Sequence, residues 1–280
     1  MNHRIPIDET PLIKIIQLIE KHKDNKKGRK KEIEFLLDTL NIPFESQKYS
    51  TGKNIFASLG NAPFIGIGSH YDAVQKTPGA NDNASAIAVT LDILRRTKHN
   101  PLRNIGIRGF FFDEEENNLL GSRAYIKEKG LWDLLGLYNM ELVGSGDKLA
   151  LWSLDNEQNT PLLRTLESKA EEQKIETHRF PMIVTNAADH LSFRKAGLED
   201  SFTITAITQS DLSLAPQYFA ALQGKNPEEE CWRILKKSPV FGQYHQETDK
   251  SEHLSQETLQ MVSNLLWYSI IEIDRTYKNK

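Results

Sequence analysis

A single cysteine, Cys231, in 280 residues leaves no intramolecular disulfide and no thiolate metal cage. Long apolar runs are also missing. No stretch approaches the roughly 20 residues that a membrane-spanning helix needs. The N-terminal stretch MNHRIPIDETPLIK lacks the basic start and apolar core that direct secretion. A cytoplasmic location is therefore the expectation, with export of a processed form as the alternative. Nor is there an excess of one charge: 35 Lys and Arg against 38 Asp and Glu give a formal net charge of -3. Such a balance provides no overall pull towards nucleic acid or an anionic membrane, so neither is expected as a partner.

What is present belongs to a globular chain long enough to bury a full core, with 39% hydrophobic and 26% charged residues. Leu12, Ile13, Ile16 and Ile19 recur at helical spacing, as do Ile33, Phe35, Leu36, Leu37 and Leu40. The run between them, KHKDNKKGRKK, reads as a solvated loop and helix start. From Asn54 the period changes. NIFASLG and PFIGIGSHYD are short, apolar and bounded by Gly, Asn and Pro, which predicts strands. Further strands are expected over residues 104–112, 137–143 and 200–207. Helices are expected over residues 84–96, 119–129, 160–173, 189–195 and 252–274. This alternation predicts an α/β fold with a mixed, mainly parallel central sheet and helices on both faces. Residues 208–243, with Pro216, Gly224, Pro227 and Pro239, are weakly patterned and read as a surface excursion near the site. Trp132, Trp152, Trp232 and Trp267 read as core or interface residues.

Sites in such sheets gather beyond the carboxyl ends of the strands. Three strand ends here carry polar clusters: His70 with Asp72, residues 113–116, and Glu141. Residues 110–122, FFFDEEENNLLGS, place four consecutive acids directly after three phenylalanines. Adjacent carboxylates repel, so a cation must hold them. Two residues apart on a strand end, His70 and Asp72 face the same way, and a carboxylate so placed can support a ligating imidazole. In PGANDNASA, Asp82 or Ser85 reads as a helix cap in isolation. A carboxylate there could also bridge two cations, which one imidazole nitrogen cannot do.

Six segments, GSHYD, PGANDNASA, FFDEEENNLLGS, YNMELVG, ADHLSFRKAG and YHQETD, together resemble the M28 family of di-zinc aminopeptidases in content and order. The resemblance implies one peptidase domain over residues 1–280. Residues 1–45 would be helices packed on it, and residues 208–243 an insertion that sets specificity. It further implies two zinc ions, one held by His70, Asp82 and Glu141 and the other by Asp82, Glu116 and His245. Glu115 would be the general base and Asp72 a support for His70. Peptide substrates would then lose their N-terminal residue to an activated water, since two cations about 3.5–4 Å apart can share and acidify one. The chain departs from the family at Glu141, where Asp is common. It departs also at Ala86 and Asn118, where Gly is common, and at Ala188, where Ser is frequent.

Other residues read more plainly. His3, His22, His99, His178 and His253 are expected at the surface or as caps, and Glu114 away from the neighbours of Glu115 or towards solvent; Asp113 and Tyr244 have open roles. Asp189 reads as a supporting residue, while His190 either lines the pocket or pairs locally. Two competing functions keep the same scaffold: glutaminyl-peptide cyclisation with one zinc, and noncatalytic binding.

Overall fold

The computed structural model describes residues 10–155, 157–184 and 187–278, so His3 lies outside the described residues. Two helices lead. α1 (Leu12–Glu20) turns Leu12, Ile15, Ile16 and Ile19 inward at helical spacing. α2 (Lys26–Thr39) begins where the Gly28 N–H donates to Asn25 Oδ1, satisfying one donor of the first turn. Its buried face carries Ile33, Leu36 and Leu37, and also Arg29, only 2% exposed. The basic run is thus a solvated stretch with one buried cation in it.

The chain continues through β1 (Glu45–Lys48), β2 (Lys53–Leu59), β3 (Phe64–His70), α3 (Ser85–His99), β4 (Gly106–Phe112), α4 (Leu120–Lys129) and β5 (Leu134–Met140). The second half comprises β6 (Lys148–Trp152), α5 (Pro161–Glu172), β7 (Thr177–Phe180), α6 (His190–Lys195), β8 (Ser201–Ile207), α7 (Gln209–Leu222), α8 (Pro227–Leu235) and α9 (Gln256–Thr276). The strands make one eight-stranded sheet in the order β1-β2-β4-β3-β5-β8-β6-β7. Its four central strands, β4, β3, β5 and β8, are parallel, while β2 and β6 meet their central neighbours antiparallel. The expected mixed α/β sheet is the one observed. Every residue of β3 and β8 is buried, as expected for parallel strands covered on both faces.

Strand alternation explains the phenylalanine run. Phe111 joins the larger core beneath α1, α3 and α9, whereas Phe110 and Phe112 point the other way and stack at 5.1 Å. That second core is completed by Tyr125 of α4 and Phe193 of α6. Helices cover both faces, and the parallel strands end towards one edge.

The largest correction concerns residues 208–243. Instead of an irregular excursion they form α7 and α8, which pack on the far end of the sheet and bury Tyr218, Ala221, Cys231, Ile234, Leu235 and Phe241 with Trp152. Thr208 and Asp211 make a reciprocal capping box at the start of α7. Pro227 sits in the first turn of α8, where its missing N–H costs nothing. Three short strands, β1, β6 and β7, are additional to those expected. The last helix begins at Gln256 rather than residue 252, because Ser251–His253 form a separate 3-10 turn. Trp132 is 85% exposed and is no part of the core. No helix among the described residues is long and apolar enough to cross a membrane.

Candidate functional site

Three parallel strand ends meet two loops. His70 is the last residue of β3, Glu141 directly follows β5, and Glu115 and Glu116 lie in the turn after β4. Asp82 occupies the turn before α3, and His245 the segment after α8. His70, Asp82 and Glu141 bring one donor atom each within 4.8 Å of one another, as do Asp82, Glu116 and His245. Asp82 belongs to both groups through different oxygens. Its Oδ1 lies 3.2 Å from His70 Nε2, and its Oδ2 3.4 Å from His245 Nε2. Glu141 Oε2 is 3.2 Å from His70 Nε2, and Glu116 Oε2 is 3.1 Å from His245 Nε2. Glu115 Oε2 stands 3.9 Å from His70 Nε2. Asp82 is therefore not a helix cap.

The surrounding backbone holds these donors still. His70 Nδ1 contacts the Asp72 carbonyl at 3.2 Å, which leaves Nε2 free to face the carboxylates. The Asp72 carboxylate accepts the N–H groups of Glu115 and Glu116, each at 3.1 Å, so it ties the β3 end to the acidic turn. Asp249 does the same for the Asp82 turn, accepting from Asn81 N and Asp82 N at 2.7 and 3.0 Å. Gly79, at φ 61°, opens that turn, and a side chain there would meet the Asp82 carbonyl at 2.7 Å. Asn83 donates to Glu141 Oε2 at 2.8 Å. Beneath Glu141, Asn139 donates to Glu141 Oε1 and to Thr203 Oγ1.

Arg29 is the functional residue that sequence reasoning missed. Its guanidinium donates to the carbonyls of Tyr71, Pro78 and Gly79 at 2.6, 2.9 and 3.2 Å, clamping the loop that joins His70 to Asp82. Burial pulls its pKa down, opposed by the charges of Asp72, Asp249 and Asp82. Within a run of lysines it carried no local signal.

The cluster is short of positive charge. Burial drives Glu116 up to about 7, aided by Asp82. Glu115 is raised well above the carboxylate range by burial, with Glu141, Asp189 and Glu116 adding to the push. Burial disfavours the His245 imidazolium, but Asp82 and Glu116 outweigh it and raise that group to about 9. His245 Nε2 is nevertheless buried without a hydrogen bond, although two carboxylate oxygens face it. An unsatisfied nitrogen amid unneutralised carboxylates fits a cation, and the imidazole and carboxylate donors suit zinc.

The four acids divide. Asp113 and Glu114 turn away from the donor groups to Lys26, at 3.1 and 3.4 Å, and Asp113 also accepts the Lys53 N–H. Glu114 thus points away from the neighbours of Glu115, as expected, and is ion-paired there. Asp189 is fully buried, with neither oxygen hydrogen-bonded among the described residues, and burial pushes it up to about 8. His190 faces Thr203 Oγ1 through Nδ1 at 2.6 Å, and burial lowers its pKa to about 3. Tyr244 stacks on His245 at 3.6 Å. Burial and the charges of Asp82, Glu116, Glu115 and Glu141 keep its hydroxyl protonated. At the far end of the sheet, β7, α7, α8 and Phe241 line a narrow, mainly apolar cleft of about 50 Å³.

The sequence profile of peptidase family M28 matches residues 54–270. The aminopeptidase YwaD of Bacillus subtilis is 28% identical over 222 residues, covering 77% of this chain and 42% of its own. The chain thus spans less than half the length of the curated relatives that it matches first. Among solved structures, a zinc aminopeptidase from Bacillus subtilis superposes with a TM-score of 0.62 at 26% identity, over 81% of this chain and 52% of that one. The glutaminyl cyclase of Porphyromonas gingivalis has a TM-score of 0.72 over 94% of this chain and 97% of its own; at 13% identity the likeness is one of fold.

Proposed function

The chain belongs to peptidase family M28, and from that premise we propose that it is a two-zinc aminopeptidase releasing the N-terminal residue of peptides. One observation carries the reading: the Asp82 carboxylate offers a separate oxygen to each of two histidine-and-glutamate pairs. His70, Asp82 and Glu141 would hold one ion, and Asp82, Glu116 and His245 the other. Bound zinc supplies an acidified water and an electrophilic partner for the scissile carbonyl.

The protein's own groups do the rest. Glu115, its Oε2 3.9 Å from His70 Nε2 and beside both donor groups, stands where it could take a proton from the attacking water and pass it to the departing amine. Asp72 holds the backbone N–H groups of Glu115 and Glu116 and so fixes where that carboxylate stands. The Tyr244 hydroxyl, kept protonated, is a donor beside the site. Residues 208–243, which lead directly into Tyr244 and His245, would set the preference at the cleaved end.

Replacing Glu115 by Gln keeps the shape and removes the base. The variant should retain two zinc ions by elemental analysis and lose turnover by about 10³-fold. Parent-like hydrolysis would sink the mechanism. One tightly held zinc per chain, together with cyclisation of N-terminal glutaminyl peptides, would move the assignment to the cyclase reading.

A further inference from the structure

A groove between α2 and the β1–β2 hairpin takes no part in the chemistry above. Six lysines line it, Lys26, Lys27, Lys30 and Lys31 from the helix and Lys48 and Lys53 from the hairpin, against two carboxylates, Glu34 and Asp113. The helix presents four together because Lys26 and Lys30, Lys27 and Lys31, and Lys27 and Lys30 stand four or three residues apart along it. Lys48 and Lys53 are direct cross-strand partners, a placement in which like charges repel. Lys26 is held by Asp113 and Glu114, and Lys30 by Glu34. Among the described residues, Lys27, Lys31, Lys48 and Lys53 have no carboxylate within 4.0 Å. The lysines of a single basic run are thus joined by two others into a pocket of unneutralised charge.

Hydrogen bonds fix the floor. Tyr49 OH donates to the Asp113 carbonyl at 3.1 Å, and Tyr71 OH to the Lys53 carbonyl at 2.6 Å. Above it lies a solvent-open cleft of about 360 Å³, at the lower end of the size range of ligand clefts. The groove shares a wall with the catalytic cluster. Asp113 stands two residues before Glu115, a separation of at most about 7 Å along the backbone, and Tyr71 directly follows His70. Glu114, held by Lys26 and Thr51, lies between the two.

A peptide presents an ammonium at one end and carboxylates further along. The acidic cluster and the lysine groove, side by side, offer the matching poles. We propose that this groove is a subsite for carboxylates of the substrate, from acidic side chains or a free C-terminus, roughly two to four residues beyond the cleaved bond. This rests on the aminopeptidase reading. A nucleic acid is disfavoured because the four unpaired lysines are confined to one short groove, which matches a few carboxylates rather than a continuous phosphate backbone.

Two measurements on the full, zinc-loaded chain test it. The first is kcat/KM for a neutral tetrapeptide and for the same peptide with aspartates at its third and fourth positions. At low salt the acidic peptide should be favoured about tenfold, through KM, and the preference should fade near ~0.2 M salt. Lys27→Glu with Lys48→Glu should abolish the preference and leave turnover of the neutral peptide unchanged; Lys27→Gln with Lys48→Gln should reduce it. The second is fluorescence anisotropy of a labelled, N-acetylated acidic peptide, which reports binding without hydrolysis. Salt-sensitive binding lost in the charge-reversed variant supports the subsite even if no peptide is cleaved, in which case the aminopeptidase reading alone fails. Equal acidic preference in parent and variant overturns the subsite. So does displacement of the peptide by a single-stranded RNA at lower concentration than by unlabelled acidic peptide.

Discussion

The two ends of the Asp82 carboxylate sit in unlike surroundings. On one side His70 is 1% exposed, ends a central strand, and faces Glu141, whose oxygens are held by Asn83 and Asn139. On the other, the His245 side chain is 27% exposed, follows a short 3-10 turn at φ 59°, and faces the half-buried Glu116. The first set of donors is preorganised by the sheet and its hydrogen bonds. The second is carried by loops and open to solvent. If the site holds two ions as proposed, it should bind them unequally, with the His245 side exchanging first, because donors that must be ordered on binding give up part of the interaction energy.

The largest effect should come from the residue common to both sides. Asp82→Asn removes the charge that both donor groups share, and should leave less than one zinc per chain with activity down by ~10⁴-fold or more. If the variant keeps two ions, the two sides do not depend on Asp82 and the comparison breaks. His245→Ala touches only the open side. It should leave one retained zinc by elemental analysis and about 10²-fold lower kcat/KM, corresponding to ~3 kcal/mol of transition-state stabilisation. Loss of both ions would show that the buried side has no independent hold.

Arg29→Met acts through the loop between His70 and Asp82. Removing three hydrogen bonds from a buried cation should destabilise the fold by about 3 kcal/mol and weaken zinc binding about 10- to 100-fold, both measurable by thermal unfolding and chelator competition. The smallest effect concerns the network beneath the buried side, running from Glu141 through Asn139 and Thr203 to His190. His190 has its pKa lowered to about 3 by burial, so below its ordinary value near 6.5 the unfolded chain takes a proton that the folded chain refuses. Its stabilising contribution is therefore complete above pH 6.5 and is lost as pH falls towards 3. Between pH 7 and pH 5 that loss is about 2 kcal/mol. Urea unfolding of His190→Leu should show a correspondingly shallower acid slope, and an unchanged slope would remove His190 from the account.

Much of the fold was legible because periodicity is local. The central strands and α3 announce themselves through short apolar runs alternating with a helical pattern, and their observed bounds fall within a few residues of those expected. β1, β6 and β7 were not legible: at four or five residues each they are too short for alternation to stand out. The α7–α8 pair was hidden by Pro216, Gly224 and Pro227: Gly224 and Pro227 do mark the break between the two helices, and only Pro216 lies inside one, in a helix held by packing against Trp152 and its neighbours.

By itself the sequence determined the element types of the central sheet, the family, and which residue types stand at three strand ends. Those follow from side-chain period and motif order, which neighbouring residues carry between them. Only the tertiary structure decided that Arg29 is buried against a loop more than forty residues away, that Asp82 lies between two imidazoles, and that Lys26 draws Asp113 and Glu114 apart from Glu115 and Glu116. Desolvation and charge pairing depend on what lies across space, and one chain order is compatible with many such neighbourhoods until the core has packed.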